Sequence, residues 1–241
     1  PIILKPSDVA SSVGGDQNNW LMQVDASRRD NDMRSLENYV GMVSGSKSGY
    51  DPYDWMTPPM VGRKNVSLSF RNGDEGMMRD IRPVNDQGEA WEMRVVTGDR
   101  AAKIRLDLSG AKNLPNPDFV AYLVDLDEDM AHDLKIVTSV DINSKEGIRN
   151  FKLIVGTRQF AIDNSDGVDL VPKEMRLYSN YPNPFNPETV VRYQISGIEQ
   201  KYNVSLKVYN LIGQEVASLV DKEQQPGYYE VRFNGRSLST G

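Results

Sequence analysis

Residues Tyr178–Tyr193 read YSNYPNPFNPETVVRY, and they decide how the C-terminal part of this chain folds. Pro182, Pro184 and Pro187 each fix the backbone φ angle and lack an amide donor, which disfavours a helix here. Thr189–Ile195 then reads TVVRYQI, a run of β-branched and aromatic residues that is typical of a strand. The stretch therefore predicts a rigid, extended lead-in followed by a β-strand.

Three further motifs follow along the chain. Val204–Val220 reads VSLKVYNLIGQEVASLV, Pro226–Phe233 reads PGYYEVRF, and Leu238–Gly241 reads LSTG. Together with YPNPFNP, they resemble the C-terminal sorting domain of the type IX secretion system. That domain is a small immunoglobulin-like sandwich related to flagellar hook-capping proteins. The resemblance covers residues 175–241.

The resemblance implies a sorting address that the type IX outer-membrane machinery recognises, on a protein that is secreted or attached to the outer membrane at the cell surface. Its sorting motif falls on Tyr181, Pro182, Asn183, Pro184, Phe185, Asn186, Pro187, Gly213 and Glu215. The family continues with one more strand where this sequence reaches Gly241. We therefore expect that last strand to be missing from this sequence, disordered, or supplied by a neighbouring chain.

The N-terminal part shows an apolar period of two, which indicates half-buried antiparallel strands. The strands predicted in this way are Val66–Phe70, Trp91–Val95, Ile104–Leu108, Phe151–Val155 and Phe160–Ile162. Only Arg28–Tyr39 leaves room for a short turn of helix, and 43–62 reads as a long loop. The predicted fold class is all-β, with two β-sandwich domains (immunoglobulin-like or jelly-roll-like) at 1–165 and 175–241.

A second resemblance covers the first of these domains. Trp20–Ala26 reads WLMQVDA, Asp30-Asn31 follows, Gly49–Asp54 reads GYDPYD, and Pro58-Pro59 comes next. This order resembles a β-sandwich region that precedes the sorting domain in large exported proteins. The resemblance implies an accessory or spacer domain, and it implies no enzymatic or binding activity.

Composition narrows the classes of function. The net charge is −6 and the isoelectric point near 5.0, which disfavours nucleic acid or an anionic membrane as partner. No apolar run reaches the length of a spanning helix. Cysteine is absent, which excludes disulfides, thiolate metal sites and a cysteine nucleophile. The one histidine, His132, stands in a charged stretch and is expected at the surface, so we predict that the chain is not an enzyme.

Acidic residues suggest calcium as a candidate cofactor. Asp30, Asp32, Asp51 and Asp54 stand on two predicted loops, and carboxylates at loop tips suit calcium. A second acidic run, Asp125–Asp129, lacks the glycine and the twelfth-position glutamate of an EF-hand loop. The alternative for both sets is that the carboxylates face water or cap turns.

Aromatic residues suggest a binding role. Trp55 lies in the predicted loop, where its ring is a candidate surface for stacking on a sugar. Trp20 and Trp91 lie in alternating strands and are expected in the core.

Three functions fit these observations. The first is a non-catalytic C-terminal region of an exported bacterial protein that carries a type IX sorting signal. The second is an adhesin module that binds a glycan or a surface protein through the 43–62 loop. The third is the accessory tail of a secreted hydrolase.

Overall fold

A computed structural model describes residues 19–60, 65–99, 102–114, 116–144, 147–197 and 201–236. The chain divides into two compact units, Pro1–Val168 and Asp169–Gly241, called here the N-terminal and C-terminal units. The division falls between the two predicted domains, 1–165 and 175–241. The expectation of a missing last strand concerns residues 238–241 and beyond, which lie outside the described ranges.

The described residues are almost entirely β-strands and loops, which confirms the all-β prediction. In the N-terminal unit the strands are β1 Trp20–Arg28, β2 Arg34–Ser35, β3 Tyr39–Met42, β4 Trp55–Met56, β5 Val66–Asn72, β6 Glu75–Arg82, β7 Gly88–Thr97, β8 Ala102–Ser109, β9 Val120–Asp125, β10 Met130–Asp133, β11 Ser139–Ser144 and β12 Ile148–Gly156. A 3₁₀ turn spans Ala111–Asn113, and a short helix, α1, spans Arg158–Asp163. In the C-terminal unit the strands are β13 Arg176–Leu177, β14 Glu188–Ile195, β15 Tyr202–Tyr209, β16 Glu215–Gln224 and β17 Gly227–Asn234.

The N-terminal unit is one long sheet with the strand order β10-β9-β12-β7-β5-β6-β3-β1-β8-β11. Short strands β2 and β4 pair with β1 and β6, and among the described pairs only β3 and β6 run parallel. The sheet folds over so that Trp20 of β1 packs on Trp91 of β7, with ring centroids 6.3 Å apart. Both rings are buried, which confirms their predicted place in the core.

Period-two patterning explains why most of these strands form. In β5, Val66, Leu68 and Phe70 are buried, while the serines between them are half-buried. The same alternation places Ile104, Leu106 and Leu108 of β8 in the same core. Four of the predicted strands lie within β5, β7, β8 and β12 and are confirmed.

One local prediction is wrong. Phe160–Ile162 lies in helix α1 rather than in a strand, because Thr157 caps the helix by accepting a hydrogen bond from the amide of Phe160. The segment 28–39, which left room for a short turn of helix, contains the end of β1, the short strand β2 and the start of β3. Within the described ranges, no helix has the length and apolar character needed to cross a membrane.

The C-terminal unit contains a three-stranded sheet, β13-β14-β17, and a two-stranded sheet, β15-β16. Tyr193, Ile195 and Val220 are the buried centre of its core. Tyr193 lies opposite Tyr229 in the β14–β17 register, and their rings stack with centroids 5.4 Å apart. Because an isolated pair of strands is marginally stable in water, this packing between strands supports the unit.

Candidate recognition surface of the C-terminal unit

The segment Tyr181–Pro187, called here the proline motif, is tied to the strand that follows it. The amide of Tyr181 donates to the carbonyl of Val190, and the amide of Val190 donates back, both at 3.0 Å. The peptide bonds before Pro182, Pro184 and Pro187 are cis. At the far end of the motif, the carbonyl of Pro187 accepts from the amide of Gly235 at 2.8 Å. The motif is therefore anchored at both ends by main-chain hydrogen bonds.

Side chains hold the motif between these anchors. Thr189 is 3% exposed, and its hydroxyl donates to the carbonyl of Pro182 at 2.8 Å. The same hydroxyl accepts from Nδ2 of Asn180 at 3.0 Å. Phe185 packs edge-on against Phe233 of β17, with ring centroids 5.8 Å apart. The prolines restrict the backbone further, so the motif has one well-defined shape.

Most of the motif nevertheless faces solvent. Tyr181 is 59% exposed, Phe185 is 36% exposed, and Asn183, Pro184 and Asn186 are also exposed. A rigid segment that faces solvent suits recognition, because binding to it costs little ordering entropy.

The two remaining residues of the predicted sorting motif lie on a different sheet, at the tip of the β15–β16 hairpin. Gly213 has φ of 81°, a left-handed conformation that favours glycine, and its amide donates to the carbonyl of Asn210 at 3.0 Å. The side-chain oxygen of Asn210 accepts from the amides of Ile212 and Gln214 at 3.1 and 2.9 Å. Glu215 forms an ion pair with Lys207 at 2.8 Å. Gly213 and Glu215 therefore shape and stabilise this turn.

The C-terminal unit also contains an apolar groove, with a cavity volume of about 250 Å³. Its walls come from β13, the end of β14 and the middle of β15, and they include Met175, Leu177, Ile195, Val204 and Leu206. Sequence reasoning missed this groove, because it requires the pairing of strands to be known.

The four aspartates predicted as calcium ligands do not come together. Asp30 forms an ion pair with Arg28 at 2.6 Å, and Asp32 is exposed. Asp51 and Asp54 lie together and are buried. Within the described ranges, no group of three or more acidic or histidine side chains is arranged to hold a metal ion.

Asp51 and Asp54 act on the backbone of their own loop. Asp54 accepts from the amides of Ile81 and Asp51 at 2.8 and 2.9 Å. Asp51 accepts from the amides of Lys47 and Tyr53 at 2.8 and 2.7 Å. Burial raises the pKa of Asp54, and these amide donors offset part of that rise. The pair fastens the 43–60 loop to strand β6.

The second acidic run is neutralised by an arginine from the neighbouring strand. Arg149 of β12 pairs with Asp125, and both side chains are 5% exposed. The same guanidinium lies 3.3 Å from Asp127 and 4.0 Å from Glu128. It also donates to the carbonyl of Asn143 at 2.7 Å. The chain itself thus supplies the positive charge that neutralises this acidic run.

Trp55 lies on the short strand β4 and is half-buried. The guanidinium of Arg79 lies 4.4 Å from the centroid of its ring, and 5.4 Å from the ring of Tyr39. Arg79 itself is buried. One face of Trp55 therefore packs on a cation of the core, and a sugar would have to stack on the opposite face.

The surface position expected for His132 is wrong. His132 is buried on β10, where it lies opposite Leu123 of β9. Of the charged neighbours that suggested exposure, Asp133 lies in the same short strand, and Asp127, Glu128 and Asp129 lie in the turn before it.

Comparison of the chain with family models, with curated proteins and with solved structures finds no match.

Proposed function

We propose that this chain is the non-catalytic C-terminal region of an exported bacterial protein, and that its C-terminal unit is a sorting signal for the type IX outer-membrane machinery. The N-terminal unit then acts as a spacer or accessory domain at the cell surface. The observation that carries the proposal is the proline motif, which is anchored at both ends and still faces solvent. A receptor would find this surface already shaped for binding.

The absence of catalysis is part of the same proposal. The chain has no cysteine and a single histidine, and that histidine is buried within a strand pair. Among the described ion pairs, Asp125 with Arg149 is the most deeply buried, and it joins the acidic turn after β9 to strand β12. These features support a role in binding and transport.

A substitution experiment separates recognition from folding. The whole chain is fused behind a signal peptide and a fluorescent reporter, in a bacterium that has type IX secretion. We expect the reporter to reach the cell surface, and Tyr181→Ala with Asn183→Ala to reduce that fraction at least tenfold. Both side chains are exposed, so the unfolding midpoint of the purified variant should equal that of the parent chain.

Tyr50→Ala provides the matched control, because Tyr50 is an equally exposed tyrosine of the N-terminal unit. It should leave export unchanged. Full export of the Tyr181→Ala/Asn183→Ala variant would show that the proline motif is not what the machinery recognises.

A further inference from the structure

Asparagine followed directly by glycine occurs twice in the chain, at Asn72-Gly73 and at Asn234-Gly235. Glycine has no side chain to shield its backbone amide, so the amide nitrogen can approach the side-chain carbonyl of the residue before it. That approach is the first step of asparagine deamidation. The two copies lie in different environments, and this difference should set their reactivity.

The first copy lies at an open turn. Asn72 ends β5 and is paired with Glu75, which begins β6, so that Gly73 and Asp74 alone connect the two strands. Gly73 is exposed and has φ of 63°, and apart from its chain neighbours no described atom lies within 4 Å of the position that a Cβ would take. Among the described residues, neither the Asn72 side chain nor the Gly73 amide has a hydrogen-bond partner. Both reacting groups are therefore accessible, with room around them.

The second copy is held by hydrogen bonds on both reacting groups. The amide of Gly235 donates to the carbonyl of Pro187 at 2.8 Å. Nδ2 of Asn234 donates to Glu188 at 2.8 Å, and Oδ1 of Asn234 accepts from the amide of Arg236 at 2.9 Å. Deamidation at Asn234 therefore requires these three hydrogen bonds to break first.

We propose that Asn72 is a site of spontaneous deamidation in the folded protein. The backbone nitrogen of Gly73 attacks Cγ of Asn72 and forms a new C–N bond. The bond from Cγ to Nδ2 breaks, and Nδ2 leaves as ammonia with the proton from the Gly73 amide. A five-membered succinimide ring remains, and water opens it at one of its two carbonyls. The products are aspartate and isoaspartate, and the only co-reactant is water.

The two products differ in their effect on the sheet. Both add a negative charge beside Asp74 and Glu75, which are exposed, so the charge alone should change stability little. Isoaspartate also adds a methylene to the main chain, two residues from the buried pair Phe70 and Met77. The lengthened strand cannot keep both this pairing and that of residue 72 with Glu75. We therefore expect isoaspartate to destabilise the N-terminal unit.

Peptide mapping by mass spectrometry tests the proposal on the full chain. The purified protein is incubated in warm, mildly alkaline buffer, and both asparagines are followed over time in the same samples. We expect Asn72 to deamidate at least tenfold faster than Asn234, because reaction at Asn234 must first break three hydrogen bonds. In the urea-unfolded chain these bonds are absent, so the two rates should agree within about threefold.

Two variants separate the modification from other effects of incubation. Asn72→Gln keeps a side-chain amide but would need a less favourable six-membered ring, so it should not be deamidated at this position. Asn72→Asp carries the charge of the product on an unchanged backbone. All three tryptophans lie in the N-terminal unit, so the melting temperature of that unit is read by fluorescence. Incubation should lower it in the parent chain and leave it unchanged in both variants.

Three results would overturn the proposal. In the folded chain, Asn72 reacts no faster than Asn234. The tenfold difference persists in urea, which would assign it to neighbouring residues in the sequence rather than to the turn. The Asn72→Gln chain loses as much melting temperature on incubation as the parent chain, which would place the damage elsewhere.

Discussion

Replacing Thr189 by valine tests how the proline motif is held in place. The side chain is 3% exposed, and its hydroxyl makes two hydrogen bonds, to the carbonyl of Pro182 and from the amide group of Asn180. Valine has nearly the same shape, so the change removes these bonds and leaves packing almost intact. At a net value of about 1 kcal/mol for each bond, the loss should be about 1–2 kcal/mol, since half-buried Asn180 can turn toward water.

The C-terminal unit spans Asp169–Gly241. For a domain of this size, 1 kcal/mol corresponds to about 4–8 °C in the melting temperature, so the expected decrease is roughly 4–16 °C. All three tryptophans lie in the N-terminal unit, so tryptophan fluorescence follows that unit alone, whereas circular dichroism follows both. The Thr189→Val variant should lower only the melting temperature of the C-terminal unit. Circular dichroism detects that transition and tryptophan fluorescence does not.

Thr57 offers a matched control for the same chemical change. Its hydroxyl is buried and, within the described part of the chain, has no hydrogen-bond partner. Thr57→Val should therefore be neutral or should stabilise the N-terminal unit, by up to about 1 kcal/mol. An unchanged C-terminal transition in Thr189→Val, or an equal loss in Thr57→Val, would refute the view that Thr189 fixes the proline motif.

Four further outcomes follow from the structure. Arg149→Met leaves the buried carboxylate of Asp125 unpaired and should destabilise the N-terminal unit by about 3–5 kcal/mol in urea titration. Arg149 holds down the pKa of Asp125, which burial raises, so the substitution should raise that pKa further. The variant then binds this proton more tightly than the parent chain does, and the loss should shrink as the pH falls through the variant's pKa; a loss that stays constant as the pH falls from neutral would argue against this cause. The chain should have the same melting temperature in millimolar calcium and in chelator, because Asp51 and Asp54 already bind backbone amides. A higher melting temperature in calcium would support the predicted calcium site. A glycan array should give the same signal for Trp55→Ala as for the parent chain, and a glycan lost only in that variant would support the adhesin alternative. The purified chain should hydrolyse no peptide, ester or glycan substrate, and turnover abolished by a point substitution would contradict the non-catalytic assignment.

The sequence predicts the strands of the N-terminal unit well where apolar residues alternate, as in Val66–Phe70 and Ile104–Leu108. It fails at Phe160–Ile162, because a three-residue apolar run fits a strand or a helix equally well. The nearby cap residue Thr157 was the signal that distinguishes them. The burial of His132 was missed because its strand is short and is flanked by charged turns.

The sites depend on contacts that no local pattern contains. Arg149 is 24 residues from Asp125 in the sequence, so the neutralisation of that acidic loop follows from strand pairing alone. Asp51 and Asp54 were predicted as metal ligands, although DPYD is also a turn signal in which aspartate accepts amides two or three residues away. The exposure of Leu211 and Ile212 depends on the turn that Asn210 and Gly213 close.

Export of a reporter by this chain, in matched strains with and without the type IX outer-membrane translocon, tests the proposed sorting function most directly. The reporter is fused to the full chain behind a signal peptide, and surface exposure is measured by protease treatment of intact cells. We expect reporter at the surface only in the strain with the translocon, and periplasmic reporter in the other. Equal surface exposure in both strains, or periplasmic reporter in both, would contradict it.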